Sequence, residues 1–564
     1  MKNNLQYFFT NCHIGMICLM FLLGIPAFGT TYYVAASGGS DSNPGTSCTL
    51  PFATIQQGLS VAQPGDTVSL AAGTYRQSSH FVRSGTLDHS IGLRATGSAK
   101  VIIQGSTLVT GFTLSSGSTY VKTGWTTYYP PNDPNQTDAR KLPRDQIFVD
   151  GTYIPEATSV ATMTAGSFYD DHTNSKLYLW LAAGDNPSSH QVDADNSESI
   201  LSDTGFNYIV IQDLQFQYCA NQPQLGMVKL AGSNCTIRNC IFQYAAGAGL
   251  FFNGNNILVQ SCQFNYNTQE GFSSSACDSV TMEDCISNYN NIEPDKTFDS
   301  GWEAGACKIS RSTNYVLENH SSTGNGGPGV WFDIDNQHAT IKDCISTGNK
   351  EGIQYEISYT ALIINNICVG NSDCGFLISS SAGNYVANNL AYGNMDFGIT
   401  NVDSTQGPRS DGNGGFVYCY ANTFYNNIVA DNQIAGNQKS YVVSSATTVN
   451  PAIGSSPVVP FTPNVSDYNL FYYSGPAEPF FIDMKDHYEP DTLALWQAHN
   501  GFDLHSIWAK DPAFVSPSTG NFYPKAGAPE IDSGITLSKV PVDSEGTARP
   551  QGTGYDMGPY EYVP

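Results

Sequence analysis

Residues 329–371 read GVWFDIDNQHATIKDCISTGNKEGIQYEISYTALIINNICVGN, which is one phrase written twice. Gly329 opens GVWFD and Gly352 opens GIQYE, 23 residues later. Each is followed by an alternating stretch, a two-residue mark (DC at 343–344, NN at 365–366) and a GN turn. The same mark recurs outward in both directions. Its second residue is Cys240, Cys262, Cys285, His320, Cys344, Asn366, Asn389 and Asn427, at intervals of 22, 23, 35, 24, 22, 23 and 38. A glycine opens most rungs: Gly249, Gly271, Gly305, Gly329, Gly352 and Gly375. A period of 22 to 24 with short strands of period two predicts an all-β chain, a right-handed parallel β-helix. One coil cannot bury its inner face alone; coils stacked about 4.8 Å apart bury a continuous core. The Cys and Asn marks become an inward ladder at a bend, Asn bonding turn backbone and Cys acting as a small apolar filler. Parallel Cβ vectors fit disulfide geometry poorly, so free stacked thiols are expected there. His320 stands in the same ladder and is expected to be a satisfied core residue. A leucine-rich solenoid would need dense leucine and a helix per repeat, and neither is present.

The rest of the chain fits this plan. Residues 1–29 have a lysine, a short apolar run (IGMICLMFLLGI) and small residues at 27 and 29, the pattern of a cleaved secretory signal, so a secreted or periplasmic location is expected. No later run of about 20 apolar residues suggests a membrane helix. Residues 30–75 are expected to cap the solenoid, with one helix at TIQQGLSVA (54–62) covering the open core. Hairpin signals in DQIFVDGTYIPEAT and GSFYDDHTNSKLYLWL predict a small β subdomain inserted at about 140–200. The β-helix is expected over 30–440 and a closing segment over 441–564. Net charge is −25, with 49 acids against 24 bases. That surface repels nucleic acid and anionic membranes, which need clustered Lys and Arg. The expected partner is a polysaccharide or oligosaccharide, met by a monomer.

Strand alternation places two carboxylates together. Counted from each glycine, Val330 and Ile353 point in, Trp331 and Gln354 out, Phe332 and Tyr355 in, and Asp333 and Glu356 out. Two carboxylates on adjacent strands cannot both ionise freely, so one pKa should rise. A raised acid beside an ionised partner about 5 to 5.5 Å away suits glycoside cleavage with retention. The competing readings are a solvated face, or a Ca²⁺ held by Asp333 and Asp335. The two long intervals lie in NNIEPDKTFDSGWEAGA (290–306) and TNVDSTQGPRSDGNGGFVYCYAN (400–422), and such segments usually wall a groove. Trp302, Trp331, Glu303, Gln354 and His338 are candidates for contacting a sugar. The same count from Gly305 turns Lys308 inward, unless the long segment adds a bulge.

Taken together, the opening stretch, the coils and DSEGTARPQGTGYDMGPYEY (543–562) resemble secreted bacterial right-handed β-helix proteins, many of which act on polysaccharides. GVWFD followed by GIQYEIS is similar to the motif pair of β-helical β-xylosidases. The resemblance implies Asp333 as nucleophile and Glu356 as general acid/base, with no cofactor required. Phe332 stands where that family has Leu, and ISYTALIINN follows Glu356 where it has His-Gly-Pro, so the sugar is not transferable. GWEAGACKIS (301–310) resembles a rung of β-helical pectate lyases, with Glu303 in place of a calcium-binding Asp. That likeness implies a Ca²⁺-dependent lyase as the alternative, with Lys308 as a substitute base; two of that family's calcium acids are missing here. A non-catalytic carbohydrate-binding or adhesive solenoid is the third reading.

Overall fold

The computed structural model describes residues 29–131, 141, 143–403, 409–410, 412, 415–432, 441–443, 462–475, 481–482 and 492–564. The signal-like segment therefore lies outside the described residues, apart from Gly29. The chain winds into three long parallel sheets. One runs from Thr31–Val34 to Val465–Asp467, the second from Ser79–His80 to Phe481–Ile482, and the third from Gly73–Tyr75 to Ile507–Trp508. Successive coils pair in register, for example Ile345↔Ile367↔Leu390 on the third sheet. The inner faces merge into one core that includes Phe216, Phe242, Phe264, Val330, Phe332, Ile353, Tyr355 and Phe376. Phe216, Phe242 and Phe264 stack with ring centroids 5.3 and 5.1 Å apart.

Each of the three corners carries its own ladder, where the sequence pattern had suggested one. The mark residues Asn366, Asn389, Asn427 and Asn469 form the first, each backbone N–H donating to the next Oδ1 at 2.9 to 3.1 Å. The turns that follow the marks supply the second, Asn267, Asn290, Asn325, Asn349, Asn371, Asn394 and Asn432. Ser312, Asn336, Ser358 and Ser381 make the third. These amides and hydroxyls satisfy backbone groups that the sharp bends take out of the sheet pairing. The cysteines of the first ladder are free, and burial pushes the Cys344 thiol up to about 12. Such thiols stay protonated and behave as filler.

His320 lies in this ladder as expected, fully inside against Phe272, but it is not satisfied: neither ring nitrogen has a hydrogen-bond partner. Burial lowers its pKa to about 4. The native state thus refuses a proton that the unfolded chain accepts at about 6.5. Stability present above pH 6.5 is lost as pH falls towards 4, by about 3 kcal/mol for this group. His320→Asn, which restores the ladder's own side chain, should gain on wild type by about that amount between pH 7 and pH 4 in urea unfolding. A difference that stays flat with pH would overturn this account.

Two boundaries differ from the sequence reading. The inserted antiparallel strands begin at Ser106–Leu108, not near 140, and end at Val192–Asp195 around a separate core of Val109, Ile147, Phe168, Leu177 and Val192. The residues after 105 alternate as a coil does, so the switch is invisible until the strands choose partners. The solenoid also runs past 440, through Val465–Asp467 and Leu470–Tyr472 to Ile507–Trp508. Its period fades only because the ladder interval from Asn427 to Asn469 widens to 42. At the N-terminal end the helix Ile55–Val61 forms as expected, capped by Thr54, and lays Ile55 and Leu59 on the core. A second helix, Leu493–Asn500, closes the other end, with Trp496 stacked 5.1 Å from Phe481. No helix among the described residues is long and apolar enough to cross a membrane.

Candidate active site on the second sheet

The strands Val330–Asp333 and Ile353–Glu356 pair in parallel, with Asp333 opposite Glu356 and Trp331 opposite Gln354. Val330, Phe332, Ile353 and Tyr355 enter the core, so both carboxylates face outward on adjacent strands. Each ends its strand at a corner. Ile334, Asp335 and Ile357 take positive φ there (59°, 53° and 48°). The third ladder holds the corner: Asn336 Nδ2 donates to the Asp333 carbonyl at 3.2 Å, and Ser358 Oγ to the Glu356 carbonyl at 2.7 Å. The carboxylates are thus positioned by buried polar side chains two and three residues downstream.

Although outward, the pair is not solvated. Asp333 is 4% and Glu356 6% exposed, because long side chains lie across them. Lys308 Nζ sits 3.1 Å from Asp333 Oδ2 and 4.1 Å from the centre of the Trp331 ring. It also donates to the Trp302 carbonyl, from the first long segment. Asp333 Oδ1 has no hydrogen-bond partner among the described residues. Glu356 Oε1 pairs with Arg409, from the second long segment, and Oε2 accepts from Gln354 Nε2 at 2.8 Å. Burial first, and the Asp333 charge second, raise the Glu356 pKa; Arg409 and Gln354 draw it partly back. One oxygen of Asp333 is therefore pinned and the other buried without a hydrogen-bond partner, beside a carboxyl biased towards its protonated form.

Lys308 corrects the sequence count. The phase of its strand, Gly305–Ser310, is set by Ala306 rather than Gly305. Phe272 pairs with Cys307, Ile309 with Phe332, and Ser310 with Asp333. Gly305, at φ 148°, absorbs the extra residue that the long segment delivers. Cys307 and Ile309 point in, and Lys308 points out onto the site.

The other candidates are more scattered. Trp331 is outward but 1% exposed, its face under the Lys308 ammonium. Trp302 is 47% exposed. Glu303 is buried, with Oε2 accepting from Gln224 Nε2 at 3.0 Å. His338 lies past the corner, its Nδ1 3.1 Å from Thr360 Oγ1. Asp335 accepts from Gln337 at 3.1 Å. No group of three or more His, Cys, Asp or Glu that could hold a metal ion is found among the described residues. Arg409 was not singled out in sequence. Its only local signal is its place in a long interval, and its partner lies 53 residues away.

Comparison with known proteins gives the fold a class. A model described as a right handed beta helix region matches residues 225–391, and one described as a protein of unknown function, DUF1565, matches 37–81. No curated protein sequence matches the chain. Among solved structures, that of XylC in complex with xylose is 14% identical, covering 94% of this chain and 98% of that one with a TM-score of 0.59. Pectate lyase Pel9A is 13% identical over 94% and 96% of the two chains, with a TM-score of 0.42. The GH136 lacto-N-biosidase from Eubacterium ramulus is 12% identical over 78% and 64%, with a TM-score of 0.34. The chain is a right-handed β-helix protein, and that fold hosts many activities. Fold alone does not select among those activities.

Proposed function

We propose that this protein is a secreted glycoside hydrolase that cleaves a polysaccharide or oligosaccharide with retention. The observation that carries the reading is the Asp333↔Glu356 pair, in register on adjacent strands about 4.8 Å apart, with Glu356 raised. Carboxyls carried on adjacent strands suit the short separation of a nucleophile and an acid/base better than the wider one of an inverting enzyme. Asp333 attacks the anomeric carbon through the oxygen that has no hydrogen-bond partner, while Lys308 holds the other. Glu356 protonates the leaving oxygen, then takes a proton from water as the glycosyl-enzyme hydrolyses. The xylose held by XylC is consistent with a carbohydrate on this fold. A second reading has one observation in its favour: Lys308 faces the site, where a lyase would need a base. Masses of the released products decide. Fragments carrying one added water support hydrolysis; unsaturated fragments lacking it would move the chemistry to Lys308.

A further inference from the structure

Trp331 stands on the outward row of its strand, yet it is only 1% exposed and lies outside the continuous core. The side chains of the site cover it. Lys308 Nζ is 4.1 Å from the ring centre and 3.1 Å from Asp333 Oδ2, and Gln354 is the register neighbour of Trp331 on the next strand. A ring so covered offers a sugar no face. Its indole N–H is closed in as well, and makes no hydrogen bond of ordinary geometry among the described residues. That N–H nevertheless acts on Glu356. Burial and then the Asp333 charge raise the Glu356 pKa, and Trp331 is among the groups that draw it back, after Arg409 and Gln354. Both Glu356 oxygens have resting partners, Arg409 at Oε1 and Gln354 at Oε2. The strand on the far side of Glu356, Phe376–Ser379, carries no charge.

A buried donor without a full bond costs stability. Phenylalanine would also give Lys308 a face, and would leave no donor unsatisfied. Tryptophan therefore brings a group that the resting site does not use. Proton transfer supplies the use. When Glu356 protonates the leaving oxygen, the C–O bond breaks with its electrons on that oxygen, Asp333 bonds the anomeric carbon, and Glu356 is left as a carboxylate. A donor aimed at that carboxylate binds most strongly as the charge develops, so it speeds the step rather than tightening substrate binding. We propose that Trp331 is a positioning residue for both carboxylates: its ring face seats the Lys308 ammonium on Asp333, and its N–H is the donor kept for the anion that Glu356 becomes. This rests on the hydrolase reading.

Trp331→Phe keeps a face for Lys308 and removes the N–H. Its kcat should fall on the order of 10- to 100-fold with KM within about twofold. The alkaline limb of kcat/KM should move to higher pH, because a donor to the charged form is gone. Lost packing alone would lower activity and leave the limb in place. A second readout needs no substrate. The chain has six tryptophans, so indole ¹⁵N–¹H spectra of the full chain carry few signals. The signal missing from Trp331→Phe should shift with pH in wild type and stand still in Glu356→Gln. If the Phe variant does not fold, wild type against Glu356→Gln suffices, since one titrating indole signal should stop titrating. An unmoved alkaline limb, or no indole signal whose titration depends on Glu356, would each overturn the proposal. The two readings fail separately. Glu356-dependent titration of the indole in a protein that cleaves no glycoside sinks the hydrolase and keeps the contact; cleavage with both the limb and the indole signal unmoved does the reverse.

Discussion

Asp333→Asn should lower kcat by a factor on the order of 10³ to 10⁵ while leaving the β-helix folded. The substitution removes the nucleophile and keeps its shape, and Lys308 retains the Trp331 face and the Trp302 carbonyl. Glu356→Gln should lose as much on sugars with poor leaving groups, and far less on an aryl glycoside whose phenolate departs without a proton. Added azide should rescue the Glu356→Ala variant, because the glycosyl-enzyme then meets a nucleophile that needs no base. The pH profile provides a separate check. Glu356 must be protonated to act first, so activity falls as pH rises through its raised pKa. Arg409 is a cation that pulls that pKa down, so Arg409→Gln should push the alkaline limb to higher pH. Measurements of kcat/KM against pH, with circular dichroism as the control on folding, cover the set. Wild-type turnover in either Asp333→Asn or Glu356→Gln would end the assignment, and an unmoved alkaline limb in Arg409→Gln would remove Glu356 from the acid's role.

Asn389→Leu should be the most damaging single change in the corner ladders. Asn389 is fully buried, and its Oδ1 accepts from Asn366 N and Nδ2 at 2.9 and 3.0 Å. Its Nδ2 donates to the Ile363 carbonyl at 2.9 Å and to Asn427 Oδ1 at 3.1 Å. Leucine has a similar volume and satisfies none of them. At about 1 to 3 kcal/mol for each buried group left unpaired, the loss is on the order of 4 kcal/mol. Asn389→Cys should cost about half as much, on the order of 2 kcal/mol. A thiol already works in this ladder, where Cys262 N donates to Cys285 Sγ at 3.4 Å. Urea midpoints at constant m would show the order wild type, Cys, Leu. A leucine variant as stable as wild type would mean that the ladder amides are decoration and that the apolar core alone holds the coils.

Most of the architecture was legible because a solenoid is a local object. Period, alternation and turn residues are properties of about 23 consecutive residues, and stacking repeats them. That is why the phase of Asp333 and Glu356, and the inward turn of Tyr355, could be counted from two glycines and then found in register. The count failed at Lys308, where the long segment before the strand delivers one extra residue and Gly305 absorbs it. It failed also at the ends of the insertion, where alternation alone does not say which strand will be the neighbour. His320 was placed correctly in the ladder, yet the absence of partners for its ring could not be counted.

Repeat period and alternation were enough for the winding of the chain, the inner and outer side of each regular strand, and the meeting of two carboxylates one coil apart. What covers that pair is settled by packing between distant segments. Arg409 reaches Glu356 across 53 residues, and Lys308 is turned onto Asp333. The physical reason is the same in each case. Burial and ion pairing depend on where irregular segments come to rest, and that is set by contacts between coils rather than by the pattern within one.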